Sequence, residues 1–236
     1  MATFLGLCVD ARQECQVTGT GPATVAAQVG VLKSVVDWVS QSYTELQLAR
    51  YWLWMRSTFT VNTVSGTDTY AYTACTDSRL GAVISRFFRW WLFDEDGDMN
   101  ITCYLTSSGV GSEAYLIFMP WSDFRQLYKK GTQTNGTPVH VTIDPQNKLV
   151  LGPKPNAIFT INGEYQMSPQ TLSVDADEPE MPSRFQRLIV YMAMEKYGAS
   201  KGAGEIFQRG GYEGSKLRNQ LELDQLPSVE IAEPLL

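Results

Sequence analysis

Hydrophobic residues recur at helical spacing near the start of the chain. Val36, Val39, Tyr43 and Leu46 follow one another at three- and four-residue steps, which is the pattern of a buried helix face. This stripe predicts a long helix over residues 24–56. A shorter run of the same kind predicts an earlier helix, which starts near residue 3 and ends before residue 18.

The middle of the chain loses this spacing and alternates as β-strands do. Residues 59–64 and 69–73 predict one hairpin, and residues 86–93 and 99–105 predict a second hairpin around an acidic tip. The other elements expected here are a short helix at residues 121–130, with Ser122 as its cap, and strands at residues 139–143, 148–151 and 157–167. This part of the sequence therefore predicts a module built mainly from antiparallel strands.

Helical spacing returns after a proline-containing linker at residues 168–182. Ser183 and Gln186 have the spacing of a capping box at a helix start. The next helical segment, residues 201–225, contains five glycines. Because each interior glycine costs a helix about 1 kcal/mol relative to alanine, we expect this segment to be broken near Gly210 and Gly211 and to be held by its neighbours or by close approach of another backbone.

The order of helices, strands and helices predicts an α+β fold in which the two helical ends pack together. The expected domains are a discontinuous helical bundle at residues 1–56 and 183–225, an inserted β-rich module with one short helix at residues 57–182, and a C-terminal arm at residues 226–236.

Composition and charge narrow the possible functions. A net charge of -6 argues against a surface that grips duplex DNA, but it does not exclude a surface that DNA passes without binding. No apolar run reaches about 18 residues, so we expect no membrane span, and we expect an unsecreted N-terminus. The cysteines are expected to be reduced and mostly buried, since Cys8 and Cys15 are too far apart on a helix for a disulfide.

No motif in the sequence assembles a catalytic or metal site. Residues 94–98 resemble a calcium loop, but their glycine comes two places early and Leu105 stands where a glutamate is required. His140 is the only histidine, and no nucleophile, zinc or phosphate-loop motif accompanies it. We therefore expect a protein that is not an enzyme and needs no cofactor. A hydrolase that uses turn carboxylates is the catalytic alternative.

Two segments are candidates for binding other proteins. In the second predicted hairpin, the candidate contact residues are Arg86, Arg89, Trp90, Trp91, Asp94 and Asp96. Basic and aromatic residues also mix on single-stranded nucleic-acid platforms, but core aromatics with arginines at the rim are the favoured interpretation. In the C-terminal segment, the candidate contact residues are Leu223, Leu226, Val229, Ile231, Leu235 and Leu236. So many aliphatic residues favour an arm that lies on a partner, and a disordered terminus is the alternative.

Seven segments share a characteristic order and spacing: residues 36–47, 51–54, 59–72, 136–143, 149–156, 158–165 and 180–198. Together they resemble the head-to-tail adaptor (connector) family of tailed bacteriophages. The resemblance covers roughly residues 25–220, and the sequence departs most from the family pattern at residues 77–112.

The resemblance implies a structural virion protein of the neck between capsid and tail, assembled in the host cytoplasm. It implies a homo-oligomeric ring, typically twelvefold, beneath the portal protein and above tail, nozzle or stopper proteins. Double-stranded DNA would pass through the lumen without specific binding. The C-terminal arm would contact the portal or a neighbouring subunit, and the second hairpin would contact the tail or a neighbouring subunit. The alternative is a stopper or tail-completion protein, which contacts the tail and not the portal.

Overall fold

A computed structural model describes residues 2–93 and 97–226 of the chain. Its helices are α1 (Phe4–Glu14), α2 (Gly30–Ala49), α3 (Trp121–Tyr128), α4 (Arg187–Lys201) and α5 (Gly204–Gln225). Its strands are β1 (Arg56–Asn62), β2 (Thr69–Tyr70), β3 (Thr76–Asp77), β4 (Ala82–Val83), β5 (Arg89–Trp91), β6 (Thr102–Leu105), β7 (Ala114–Tyr115), β8 (Ile117–Phe118), β9 (His140–Ile143), β10 (Leu149–Gly152) and β11 (Phe159–Gln166). Over these residues, five helices and two mainly antiparallel sheets confirm the predicted α+β class.

The chain divides into two compact units. Among the described residues, one unit contains residues 2–54 and 169–226, and the other contains Met55–Ser168. Residues 169–182, which the sequence analysis assigned to the inserted module, group with the helices. Their loop is hydrogen-bonded to α2, since the Tyr43 hydroxyl donates to the Gln170 side chain at 2.8 Å and Gln47 Nε2 donates to the Gln170 carbonyl at 3.0 Å.

In the helical unit, α4 packs against α1, α2 and α5. Leu188, Ile189 and Val190 near its start are all fully buried. Three consecutive residues point in different directions around a helix, so their burial shows that this turn of α4 is covered on most sides. The core of the helical unit therefore lies around α4.

The second predicted helix is shorter than the sequence pattern indicates, because α2 begins at Gly30 and ends at Ala49 instead of covering residues 24–56. The backbone becomes extended at Arg50. Trp52 is fully buried, and its indole N–H donates to the Leu46 carbonyl at 2.6 Å, which folds the chain back onto the helix end. A 3-10 turn follows at Leu53–Met55 and leads directly into β1.

The break predicted at Gly210 and Gly211 is also wrong, since α5 is continuous through both residues. The chain reverses instead at Gly202, whose positive φ of 65° ends α4. A Cβ added at Gly210 would lie 2.9 Å from the Tyr191 carbonyl oxygen, so the glycine permits close approach of α4 and α5. The expected close backbone approach is thus confirmed.

Neither predicted side-chain cap forms. The Gln186 side chain accepts from the Ala2 N–H at 2.8 Å and donates to the Pro179 carbonyl at 3.0 Å, so it joins three segments instead of closing a capping box with Ser183. At α3 the N-cap is Pro120, and the Ser122 hydroxyl donates to Asp123.

The strand unit contains a seven-stranded sheet in the order β4-β3-β1-β11-β6-β7, in which β5 also pairs with β11. A four-stranded sheet has the order β2-β10-β9-β8. The long strand β11 pairs along β1 from Arg56 opposite Gln166 to Asn62 opposite Thr160. The three strands predicted at residues 139–143, 148–151 and 157–167 are confirmed as β9, β10 and β11.

Both predicted hairpins are wrong in their pairing. Strand β1 pairs with β11 and β3, whereas β2 pairs with β10 in the other sheet. The Gly66 N–H donates to the Pro155 carbonyl and the Leu151 N–H donates to the Asp68 carbonyl. The predicted turn therefore lies beside β10 and the residues that follow it, and it does not close a hairpin. In the second predicted hairpin, β5 and β6 both pair with β11. Among the described residues, a single bridge, Phe93 with Met99, joins the two segments directly.

Candidate partner-binding surfaces

An exposed apolar surface lies at one end of the helical unit. An ion pair with 3.7 Å between Arg50 Nη2 and Glu222 Oε1 joins the C-terminal ends of α2 and α5. Exposed apolar side chains flank both partners in the sequence. We call them the helical-end surface: Leu48, Tyr51, Leu53 and Leu223. Because Leu48 is 63% exposed and Leu223 is 86% exposed, most of their apolar area faces water in the free chain.

The frame behind this surface is well packed. Trp52, between two of the exposed residues, is fully buried and stacks on Trp54 with 4.8 Å between ring centroids. An ion pair between Arg184 and Asp224 ties the end of α5 to the start of α4. The exposed side chains therefore stand on a preorganised backbone, which reduces the entropy lost when a partner binds.

The predicted C-terminal contact residues divide into two groups. Leu223 lies on α5 and not on an extended arm, and Leu226 is half-buried in extended backbone just after the helix ends. The remaining predicted contacts lie outside the described residues: Val229, Ile231, Leu235 and Leu236.

The structure places Trp90 in the core of the strand unit. Its side chain is 4% exposed and packs edge-on against Phe59, with 4.8 Å between ring centroids. Its indole N–H donates to the Asn147 carbonyl at 3.0 Å. A side chain with this burial cannot form a contact surface, so we remove Trp90 from the candidate residues.

The neighbours of Trp90 on β5 face outward. The guanidinium carbons of Arg89 and Arg56 lie 4.2 Å and 4.9 Å from the centroid of the Trp91 ring. Arg86 Nη2 lies 3.4 Å from the sulfur of Met167. This arrangement agrees with the interpretation of core aromatics with arginines at the rim. The other predicted residues here, Asp94 and Asp96, are outside the described part of the chain.

Two titratable residues near α3 have structural partners. His140 Nδ1 lies 2.8 Å from the Tyr128 hydroxyl, and Lys129 forms an ion pair with Asp68 at 2.8 Å. Over residues 2–93 and 97–226, no three His, Cys, Asp or Glu side chains are grouped so that they could hold a metal ion.

Sequence reasoning missed three members of the helical-end surface. The predicted helix over residues 24–56 included Leu48, Tyr51 and Leu53, and its aromatic-rich end, residues 50–56, was expected to pack against the rest of the protein. One signal was present in the sequence. Leu48 lies two residues after Leu46, and positions two apart do not share a helix face, so Leu48 is off the buried stripe.

These features define an α+β protein with two candidate contact surfaces. Exposed apolar side chains form one on the helical unit, and arginines beside Trp91 form the other on the strand unit. A family model described as SU10 adaptor protein matches residues 2–226, and the chain belongs to this family. The match confirms the predicted resemblance to phage head-to-tail adaptors, which are structural proteins. A search of curated proteins found no match. None of the described helices combines the length and the apolar character needed to cross a membrane.

Proposed function

We propose that this protein forms a ring beneath the portal of a tailed bacteriophage, where it joins the portal to the tail and lines the DNA exit channel. Membership of the adaptor family supports the connecting role. The observation that carries the proposal is the helical-end surface, because stable assemblies bury apolar groups at the centre of their interfaces. In the proposed assembly, Leu48, Tyr51 and Leu223 contact the portal.

Overall charge is compatible with a DNA conduit. The chain has 25 acidic and 19 basic residues, which gives a net charge of -6. Each lysine or arginine that neutralises a phosphate adds affinity for DNA, so a basic lumen would retain the genome. An acidic subunit favours passage of DNA without specific binding, and the neck of the virion is the proposed location.

The outward face of β5 is the proposed contact with the tail or with a neighbouring subunit. Arg89 and Trp91 present guanidinium and indole groups there, and both residue types are enriched at protein interfaces. Arg86 precedes the strand and is included in the proposed contact. Asp94 and Asp96 follow directly in the sequence and remain part of this proposed contact.

The first experiment is to measure the mass of the purified protein by light scattering, alone and mixed with the portal of the same phage. We expect a discrete, much larger complex in the mixture, consistent with a ring on the portal. If the mass of the protein stays the same with portal but rises with a tail component, the protein is instead a stopper or tail-completion protein.

A further inference from the structure

The strand unit contains an apolar groove that neither candidate surface uses. It has a volume of about 410 Å³, and strands β6, β7 and the start of β11 line it. Its apolar lining residues include Leu105, Ala114, Tyr115, Leu116, Ala157 and Phe159. We call it the β7 groove.

Exposed apolar residues continue from the β7 groove along the surface. Tyr115 lines the groove and is 68% exposed. Ile117 and Val139 each follow a lining residue and are both exposed, and the Ile117 N–H donates to the Val139 carbonyl at 2.8 Å. The groove and its border therefore form one apolar area, which is the type of surface that marks a binding site.

Two sheet edges meet beside this groove. Strand β7 is the last strand in the order of the seven-stranded sheet, and β8 is the last strand of the four-stranded sheet. Only Leu116 separates them in the sequence. Among the described strands, each therefore pairs on one side only. An extended segment can add to such an edge through its backbone and place alternate side chains in a neighbouring groove.

The chain itself contains a segment with the right chemistry. Residues 227–236 follow the part matched by the family model and read PSVEIAEPLL. Pro227 and Pro234 disfavour a helix. In an extended conformation Val229 and Ile231 share one face, and Glu230 lies on the other. Ten residues can span at most about 35 Å, so the segment can reach beyond its own helical unit.

We propose that the β7 groove of one subunit receives residues 227–236 of a second copy of the chain, with Val229 and Ile231 in the groove. The proposal rests on the ring described under the proposed function. A segment and a groove on the same chain give every copy one contact to donate and one to accept, and such head-to-tail contacts close into a ring when the rotation allows it.

The charges beside the groove are compatible with this acidic segment. Glu113, which lies between the lining residues Ser112 and Ala114 in the sequence, already accepts a hydrogen bond from the Thr102 hydroxyl at 2.5 Å. A basic residue, Lys154, lies two positions before the lining residue Asn156 in the sequence, and its carbonyl accepts from the Gly136 N–H at 2.8 Å. Exposed ion pairs contribute little, so the apolar side chains have to supply most of the affinity.

Disulfide trapping between two differently labelled copies tests the proposal. One copy carries Ile231→Cys and the other carries Tyr115→Cys, and both are full-length chains mixed with and without portal. The native thiols are buried and give a low background. We expect a disulfide-linked dimer in the mixture and not in either copy alone. A chain that carries both substitutions and closes only an internal disulfide would show that the segment occupies its own groove and would overturn the proposal.

A register test uses two neighbouring positions that differ in the face they present. In the segment donor Val229→Cys, we add either Ile231→Asp or Ala232→Asp and trap against Tyr115→Cys. Both changes add one negative charge to the same segment. We expect Ile231→Asp to lower the yield of linked dimer at least tenfold and Ala232→Asp to lower it less than twofold. Equal losses would contradict insertion of alternate side chains.

The mass of the portal mixture separates failure of this proposal from failure of the proposed function. A ring on the portal without linked dimer overturns the groove assignment and leaves the adaptor function standing. Linked dimer without a portal complex supports the groove assignment and counts against the position beneath the portal. Absence of both would overturn both proposals.

Discussion

At the scale of single residues, Asp77 shows how the strand unit keeps a carboxylate in its interior. The side chain is 1% exposed and accepts from the Tyr165 hydroxyl at 2.5 Å, the Ser57 hydroxyl at 3.1 Å and the N–H groups of Arg79 and Leu80. Burial by itself would raise the pKa of Asp77, but these hydrogen bonds outweigh it and lower the pKa below its ordinary value. Burial and the bond to Asp77 raise the pKa of Tyr165, which therefore stays a donor.

We expect Asp77→Asn to lower the free energy of unfolding by about 1–3 kcal/mol, because the amide NH2 would face groups that already donate. The pKa of Asp77 is lower in the folded state than in the unfolded chain. The carboxylate therefore makes its full contribution to the free energy of unfolding above the unfolded-state pKa of about 3.9, and this contribution is lost as the pH falls through the folded-state pKa. Urea unfolding of both proteins from pH 7 to pH 3 measures this effect.

The difference in stability between wild type and Asp77→Asn should narrow on acidification. A difference that stays constant down to pH 3 would contradict the assignment. The matched control is Asp123→Asn at an exposed position of α3, where we expect a change below about 0.5 kcal/mol.

The four cysteines give a second test at this scale. Burial raises the pKa of each thiol, to about 12 for Cys8 and Cys75 and to about 11 for Cys15 and Cys103. The thiolate is the reactive form, so the folded protein should react very slowly with a thiol reagent at pH 8. Titration with a chromogenic disulfide should detect four thiols in denaturant and fewer than one within minutes in the folded chain. Rapid reaction of one thiol without denaturant would show that its site opens.

At the scale of elements, the packing of α4 on α5 depends on the absence of side chains. A Cβ at Gly210 would lie 2.9 Å from the Tyr191 carbonyl oxygen and 3.1 Å from the Glu195 nitrogen, whereas a Cβ at Gly204 would have no heavy atom within 4 Å. Alanine favours a helix by about 1 kcal/mol over glycine at an interior position such as Gly210. We expect Gly210→Ala to destabilise the protein by about 1–3 kcal/mol despite this gain, because the backbones must separate.

Gly204→Ala is the control without the clash, at the first residue of α5, and it should raise the melting temperature or leave it unchanged. Calorimetry of the two variants compares them directly. If Gly210→Ala were as stable as Gly204→Ala, close approach of the two backbones would not explain the glycines in α5.

Periodicity in the sequence predicts the type of an element better than its partners. Strands β9, β10 and β11 were predicted within two residues of their bounds, because alternation records which face is buried. The pairing of β1 and β2 was wrong, because the same alternation fits any neighbouring strand. The hydrogen bond from Gly66 to Pro155, which carries the chain to the other sheet, joins residues far apart in the sequence.

The candidate surfaces were less predictable than the fold. Trp90 and Trp91 are adjacent and chemically alike, and only the orientation of β5 sends the first into the core and the second outward. The helical-end surface depends on where α2 ends. The chain folds back there because the Trp52 indole bonds to the helix end. Tyr51 and Trp54 are also aromatic, so the sequence does not single out Trp52 for this role. Tertiary contacts decide both cases, and residue spacing does not record them.

At the scale of the whole molecule, the proposed portal contact can be tested with two leucines of equal exposure. Leu48 on the helical-end surface and Leu80 in the turn between β3 and β4 are each 63% exposed. Aspartate at either position faces water in the free chain, so both variants should fold normally. We expect Leu48→Asp to weaken portal binding at least tenfold, which is about 1.4 kcal/mol, because a charge would be buried without a partner.

Leu80→Asp should change the affinity less than about threefold, within the usual range for surface substitutions. Leu223→Asp adds a test of geometry, because α5 and not α2 presents Leu223. If the two helix ends form one contact, Leu48→Asp and Leu223→Asp together should weaken binding less than the sum of their separate effects, since the first change already disrupts the shared interface. Full additivity would indicate two independent contacts, and equal effects of Leu48→Asp and Leu80→Asp would show that portal binding does not use the helical-end surface.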